Sequence, residues 1–379
     1  MEEQRFRNKE PEPKLHDYAW NENRFLRWAD LKKLFDKAPR IRHFDDVPWA
    51  MMHQACHKTF TGAEAPEREL WLKRAPILSI GARFQVLQPG ESSGKHRHFG
   101  EAVFYILEGK GYEIHDGKRY DWEAGDLMCV PTYSYHQHFA DPETGATIFF
   151  SGRGCLAQSL NLGGMEQEEL KADFKLPAEA EPLKDSEGRL IGYRRKDGVE
   201  IPLNYSSVSR EVMDRKAKAA PPPETIETTY DEYIQQYWEE SRWRQNCPHR
   251  VRAKDLPWED TRQGRIKYLV HPKIPIGLLT FDCFLQEIPP GGWSGKHCHV
   301  GEEVQFIIEG EGYSMLDGVR WDWGQKDLIC IPVMTTHQHF NSDPKRPALF
   351  ISLQSRLYSF IGHGGIEHLE DASTYHAKK

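Results

Sequence analysis

The feature that most constrains the fold of this 379-residue chain is an internal repeat. When the sequence is shifted by 201 positions against itself, residues 94–140 align without a gap to residues 295–341, and 25 of these 47 positions are identical. Chance alignment would match only a few positions. Because such self-similarity marks duplicated structural units, the repeat predicts two related domains, one in each half of the chain.

Each copy of the repeat has the pattern of short β-strands. Apolar runs rich in Val, Ile, Leu and Phe alternate with PG, EG, DG and GD turn signals. Asp116-Gly117 and Asp317-Gly318 are typical of hairpin turns because both residue types tolerate positive φ. The pattern predicts an all-β fold and argues for a sandwich or a jelly-roll barrel in each half; we take two jelly-roll barrels in tandem as the expected fold. The predicted strands are Val103–Leu107, Gly111–Ile114, Leu127–Val130 and Thr147–Phe150, with Val304–Ile308, Tyr313–Leu316, Leu328–Ile331 and Ala348–Ser352 as their counterparts.

Additional helices are predicted outside the barrels, at Trp28–Lys37 before the first and at Thr228–Trp243 between the two. The chain between residues 166 and 223 is strongly charged and ends in three prolines, so the boundary between the halves falls inside it. We predict an N-terminal helical or extended segment at 1–70, a barrel at 71–165, a charged linker with a helix at 166–260 and a second barrel at 261–379.

Charge and composition argue against several classes of protein. The net charge of −7 comes without the basic stripe that binds nucleic acid. No apolar leader and no run of about 18 apolar residues is present, so we expect a cytoplasmic protein that does not enter a membrane. The seven cysteines form no CxxC pair, which favours reduced thiols over disulfides or a cysteine zinc site.

The histidines carry the predicted chemistry, since eight of the 18 occupy matched positions of the repeat. An isolated His-x-His pair is more often packing or surface than a metal site. Here alternate strand residues share one face, and each copy adds a third histidine five residues after a proline. Neutral imidazole is the commonest metal ligand in proteins. The predicted ligands are His96, His98 and His136 in the first barrel, and His297, His299 and His337 in the second.

These motifs resemble the cupin superfamily. The cupin pattern is a glycine, His-x-His, a glutamate, a second glycine and later a proline followed by histidine. The second copy matches it at Gly291, His297, His299, Glu303, Gly310, Pro332 and His337. The first copy matches at Gly90, His96, His98, Gly109, Pro131 and His136, but has Ala102 in place of the glutamate. The resemblance implies a bicupin in which Glu303 is a fourth metal ligand of the second site. The single aligned difference, Ala102 against Glu303, predicts that the two metal sites are inequivalent.

Within the bicupins, a three-histidine site in the first barrel is similar to the gentisate and salicylate 1,2-dioxygenase group. The resemblance implies that Fe(II) binds there and that the substrates are a hydroxylated aromatic acid and O2. The first copy departs from that group at Phe99-Gly100-Glu101, Tyr133, Tyr135 and Gln137, which indicates a substrate other than gentisate. The second site resembles those of quercetinase and oxalate decarboxylase, where Mn(II), Ni(II) or Zn(II) are further candidates.

Three further residues are candidates for a catalytic role. Arg83 could bind a substrate carboxylate bidentately, or lie at the surface or the rim. His138 shares strand parity with His136 and could contact substrate, or make a structural hydrogen bond. Tyr105 could likewise contact substrate or have a structural role. The glutamate at Glu101 and Glu302 occurs in both copies, which favours a structural role or a role in supporting the metal ligands over a role in substrate specificity.

Three classes of function are compatible with the sequence. The leading hypothesis is a non-haem Fe(II) dioxygenase that cleaves an aromatic ring. The alternatives are a metal-dependent decarboxylase, isomerase or lyase of small acids, and a non-enzymatic metal- or ligand-binding protein. Fold alone does not choose among them. The aromatic residues of the inter-barrel helix also predict a homo-oligomer.

Overall fold

The computed structural model describes residues 36–51, 54–61, 76–77, 79–153, 164–196, 198, 200–206, 211, 214, 221, 224–274, 276, 278–356 and 365–376. The predicted helix at Trp28–Lys37 lies outside these residues except for its last two positions. No helix in the described part of the chain is long and apolar enough to cross a membrane.

The described chain is mainly β-structure. In chain order the first strands are β1 (Ile41–Arg42), β2 (Trp49–Met51), β3 (Cys56–Thr59), β4 (Ile80–Leu87), β5 (His96–His98), β6 (Ala102–His115), β7 (Lys118–Glu123), β8 (Asp126–Val130), β9 (His136–Ala140) and β10 (Ala146–Arg153). The middle of the chain contains β11 (Gly164–Gln167), β12 (Glu181–Lys184), β13 (Leu190–Arg194), β14 (Glu200–Pro202), β15 (Tyr205–Ser206), helix α1 (Thr229–Asn246) and β16 (Arg250–Arg252). The last strands are β17 (Glu259–Thr261), β18 (Gly264–Val270), β19 (Phe281–Ile288), β20 (Lys296–His299), β21 (Glu303–Glu309), β22 (Gly312–Leu316), β23 (Val319–Trp323), β24 (Leu328–Ile331), β25 (His337–Asn341), β26 (Ala348–Ser355) and β27 (Ile366–Glu370).

Two barrels account for most of these strands, which confirms the predicted fold class. The first barrel is a 12-stranded sheet with the path β15-β11-β5-β9-β6-β10-β4-β3-β2, to which β7, β8 and β16 add. The second consists of a seven-stranded sheet, β1-β24-β21-β26-β19-β18-β17, and a five-stranded sheet, β23-β22-β25-β20-β27. The eight predicted strands are present, although two of those in the first copy are parts of the single long strand β6.

The two Asp-Gly hairpin turns are also confirmed. Asp116 and Gly117 have φ of 46° and 84°, and Asp317 and Gly318 have 49° and 78°. The flanking residues His115 and Lys118 are cross-strand partners, so the loop has two residues. Positive φ at both central positions is the geometry that matches the twist of the strands.

The barrels are joined by an exchange of short strands at equivalent edges. Strand β1, from the N-terminal half, pairs with β24 of the second barrel, and β16, which follows the linker helix, pairs with β8 of the first. A single hydrophobic core lies between the barrels and contains residues of both; the rings of Phe84 and Phe306 lie 5.8 Å apart within it.

The charged linker contains a small three-stranded sheet, β12-β13-β14, and helix α1. The helix begins at the predicted position because Thr228 and Asp231 form a capping box, each side chain bonding to the backbone N–H of the other. It continues to Asn246, three residues beyond the prediction. Strand β11 pairs with β5, so the chain after the first barrel borders the His-x-His strand.

Candidate metal centres

The first histidine cluster is built on two neighbouring strands of the first barrel. His96 and His98 lie on β5, where alternation turns both side chains to the same face, and His136 begins β9 as the cross-strand partner of His96. Ring centroids are 4.2 Å apart for His96 and His136, 4.9 Å for His98 and His136, and 5.6 Å for His96 and His98. One nitrogen of each ring lies within 4.8 Å of the others, which is close enough for a single ion.

Backbone carbonyls orient all three imidazoles in the same way. The Nδ1 atoms of His96, His98 and His136 lie 3.1, 2.6 and 3.0 Å from the carbonyl oxygens of Gly94, Gly100 and Ser134. An Nδ1–H that donates to a carbonyl leaves the Nε2 lone pair for a metal. The cluster therefore presents three Nε2 atoms to one point.

The electrostatics of the first cluster fit a metal ion. His136 Nε2 is buried and has no hydrogen-bond partner among the residues that the structure describes. Burial, followed by the neighbouring His96 and His98, holds the pKa of His136 well below its usual value. The ring is therefore neutral and able to coordinate at physiological pH, since a metal requires the deprotonated imidazole.

The second cluster repeats this geometry in the second barrel. His297 and His299 lie on β20 and His337 on β25. The ring centroids are 4.2 Å apart for His297 and His337, 4.9 Å for His299 and His337, and 5.5 Å for His297 and His299. Their Nδ1 atoms lie 3.3, 2.6 and 2.9 Å from carbonyl oxygens of residues 295, 301 and 335. Burial lowers the pKa of His297 to about 4.

A carboxylate distinguishes the second cluster from the first. Glu303 Oε2 lies 2.9 Å from His299 Nε2 and 4.0 Å from His337 Nε2, and Gln305 donates to Glu303 Oε1 over 2.9 Å. Burial would raise the pKa of Glu303, but its hydrogen bond with His299 contributes to a net lowering. The equivalent position of the first barrel is the fully buried Ala102, which supplies no donor atom.

A buried group of charged and imidazole side chains lies beside the first cluster. His138 Nδ1 lies 2.8 Å from Glu113 Oε1, and His115 Nε2 lies 2.6 Å from Glu113 Oε2. His115 Nδ1 is in turn 2.8 Å from His249 Nδ1. Burial would raise the pKa of Glu113, but attraction to His138 and the hydrogen bond from His115 lower it to about 2. Glu113 is therefore a buried carboxylate ion.

Sequence reasoning missed Glu113, His115 and His249. The only available signal for the first two was their difference from Ser314 and Leu316 at the aligned positions. Nothing in the sequence placed His249 in the barrel, because it arrives there through the pairing of β16 with β8.

The three predicted catalytic residues take different positions. His138 lies beside the first histidine cluster, with its ring centroid 5.6 Å from that of His136 and 4.3 Å from that of Phe104. Arg83 shares its face of β4 with Leu87, which packs in the barrel interior together with Phe104. Tyr105 lies on the opposite face of β6 from Phe104, in the core between the barrels, where burial raises its pKa to about 12. The structure does not bring Tyr105 to the histidines.

Comparison with known families agrees with this architecture. The sequence profile of the cupin domain matches residues 83–151 and again residues 284–353. The chain carries two cupin domains. Each matched segment contains the histidines of one cluster, so the cupin domains and the candidate metal centres coincide.

The cupin domains have distant relatives of known activity. The chain is 23% identical to a 5-aminosalicylate 1,2-dioxygenase of Comamonas sp. over 348 residues, covering 87% of this chain and 83% of that protein. It is 21% identical to a gentisate 1,2-dioxygenase of Haloferax sp., with the same coverage. Among solved structures, oxalate decarboxylase from Bacillus subtilis matches with a TM-score of 0.54 and 15% identity, covering 88% of this chain and 78% of that one. The structural likeness supports the bicupin fold.

The relatives place the chain among metal-dependent cupin enzymes. Both cupin domains of this chain hold three imidazoles in the same geometry, and they differ in the groups around that common set. The first has Ala102 and the ionised Glu113, whereas the second has Glu303 and the neutral Ser314. The two centres are therefore chemically inequivalent.

Proposed function

We propose that the first cupin domain binds Fe(II) and catalyses oxidative cleavage of the ring of a hydroxylated aromatic acid of the salicylate or gentisate type. The observation that carries the proposal is a set of three histidines with no carboxylate beside them, because Ala102 occupies the position of Glu303. Three imidazoles leave an octahedral ion its full charge and three open positions, which suits a chelating anion together with O2. The similarity to two aromatic-acid 1,2-dioxygenases supports the same substrate class.

The metal, when bound by His96, His98 and His136, would supply the electron transfer and the Lewis acidity that ring cleavage requires. The protein holds its ligands in place through the carbonyls of Gly94 and Gly100. The three imidazoles approach from β5 and β9, so a substrate would have to reach a bound ion from the remaining side.

Around the open side, the barrel interior contributes shape and polarity. Phe104, Met128 and Val130 are buried and pack into one cluster, which excludes water from an aromatic ring bound there. Arg83 has the chemistry to bind the substrate carboxylate bidentately. His138 lies beside Phe104, and in this proposal its imidazole bonds the substrate hydroxyl. Tyr105 has no part in this arrangement, since it faces the inter-barrel core.

For the second cupin domain, we propose a metal site of three histidines and Glu303 that takes Mn(II), Fe(II), Ni(II) or Zn(II). Glu303 would fill one position and cancel one charge, which disfavours the same complex of substrate and O2. This carboxylate favours a second candidate function, a metal-dependent decarboxylase, isomerase or lyase of small acids, at this site.

Metal analysis and oxygen uptake test the proposal. Protein purified without oxygen is analysed for metals and then supplied with salicylates, gentisates and catechols. Iron together with oxygen uptake and a ring-opened product supports the dioxygenase. Manganese with release of carbon dioxide from small acids, and no oxygen uptake, supports the second candidate and contradicts the first.

A further inference from the structure

Glu113 is an ionised carboxylate in the interior of the first cupin barrel, and it is not one of the metal ligands. It contacts His138 through Oε1 and His115 through Oε2, at 2.8 and 2.6 Å, and its side chain has no exposed surface. His115 continues the chain of contacts to His249, on the segment that precedes β16. Four buried side chains are thus linked on one side of the metal cluster.

The second barrel is an internal control for the role of this carboxylate. At the positions of Glu113 and His115 it has Ser314 and Leu316. Ser314 Oγ lies 2.7 Å from His339 Nδ1 and accepts a hydrogen bond of 3.0 Å from Trp323 Nε1. The same fold therefore holds the equivalent histidine with a neutral hydroxyl, and it does not require the carboxylate.

The first barrel lacks one hydrogen bond that the second barrel makes. Trp122 occupies the position of Trp323, but its buried Nε1 has no acceptor within the described residues. A buried donor without an acceptor is destabilising. Natural proteins keep such local losses mainly where function requires the residue that causes them. The comparison argues that Glu113 is retained for function.

We infer that Glu113 is a positioning residue, which with His115 and His249 fixes the imidazole of His138 so that its Nε2 faces the hydroxyl of a bound hydroxyaromatic acid. The inference rests on the proposed function of the first site. The ionised carboxylate, 2.8 Å from Nδ1, favours a proton on that nitrogen and leaves Nε2, on the other side of the ring, as an acceptor. A serine hydroxyl both donates and accepts, so Ser314 does not select one form of His339.

The double variant Glu113→Ser/His115→Leu tests the inference because it copies the arrangement of the second barrel. The expected result is unchanged metal content and an unfolding temperature at or above that of the wild type, since the new serine supplies an acceptor for Trp122. Affinity for salicylate, measured by calorimetry, and kcat/KM in oxygen uptake are expected to fall about tenfold to a hundredfold, the usual effect of removing such a partner. Asp121→Asn, an exposed carboxylate on the same hairpin, is the control.

A double-mutant cycle with His138→Gln separates positioning from a structural role. If Glu113 acts through His138, adding Glu113→Ser/His115→Leu to His138→Gln lowers neither the salicylate affinity nor the turnover any further. Loss of metal together with a lower unfolding temperature would show that the network is structural and would overturn the inference, as would unchanged salicylate affinity. If the wild type consumes no oxygen with any aromatic acid, the proposed function fails, while salicylate binding still decides the role of Glu113. Absence of salicylate binding in the wild type counts against both.

Discussion

The carboxylate of Glu302 accepts hydrogen bonds from both the backbone N–H and the hydroxyl of Ser79, at 2.6 and 2.5 Å. The contact joins the second barrel to the strand that enters the first. It has a counterpart related by the repeat, because Glu101 accepts from the backbone N–H and the hydroxyl of Thr280. Each glutamate directly follows the glycine whose carbonyl orients a metal-binding histidine, His299 or His98. These reciprocal contacts confirm the structural role expected for Glu101 and Glu302.

Glu302→Ala is expected to destabilise the whole chain, because it leaves two buried donors of Ser79 without an acceptor. Hydrogen bonds to a charged group contribute about 1.5–3 kcal/mol each, so the free energy of unfolding should fall by about 3 kcal/mol or more. Urea unfolding of the metal-free protein measures this fall in the free energy of unfolding. Glu309→Ala, which removes an exposed carboxylate at the end of the strand that follows Glu302, is the matched control, and equal effects of the two variants would contradict the role of Glu302.

Replacing any one of His96, His98 and His136 with alanine should remove the metal of the first site and its activity without unfolding the chain. A site with only three protein ligands tolerates the loss of one poorly. Turnover is expected to fall more than about 100-fold, beyond the usual effect of losing an outer partner of a ligand. Metal content per chain and oxygen uptake are measured side by side. Near wild-type metal and turnover in all three variants would refute the ligand assignment.

Ala102→Glu should install the missing carboxylate in the first centre. The variant is expected to keep its metal but to lose most of its oxygen-dependent turnover, because the new ligand fills a coordination position and cancels one charge. Glu303→Ala is the matched change in the second centre and should weaken metal there, with a smaller effect on turnover. The reverse pattern would place the active site in the second cupin domain.

Acid should destabilise the metal-free protein from about pH 6.5 downward. Burial lowers the pKa of His339 to about 3 and that of His249 to about 4, whereas both titrate near 6.5 in the unfolded chain. Below that pH the unfolded state binds more protons, so the free energy of unfolding falls by about 1.4 kcal/mol per pH unit for each such histidine. Urea unfolding between pH 7.5 and 4.5 measures the slope. His339→Gln removes one of these titrating groups and should reduce the slope by the contribution of one histidine. An unchanged slope would contradict the effect of burial on the pKa of His339.

A homo-oligomer is expected from the aromatic residues of helix α1. Tyr230 and Tyr233 are 71% and 64% exposed on its first turns, which suits a protein interface better than water. Sedimentation at micromolar concentration tests this expectation. A species near 44.0 kDa, the mass of one chain, would reject it.

The sequence by itself determined the duplication, the strand pattern, the hairpin turns and the two histidine clusters. The clusters were predictable because alternation along a strand puts residues i and i+2 on one face, and because the repeat places the same third histidine in both copies. His96 and His98 therefore met His136 as expected, and His297 and His299 met His337.

Only the tertiary structure decided which face of a buried strand looks into the barrel and which partners reach it from distant parts of the chain. Strand β6 is apolar on both faces, because Phe104 lines the barrel interior while Tyr105 packs between the barrels. Such a strand has no alternation of apolar and polar residues to reveal its inward side. The partner of His115 was equally hidden, because His249 lies 134 positions later in the chain and is brought to it by strand exchange between the two halves of the molecule.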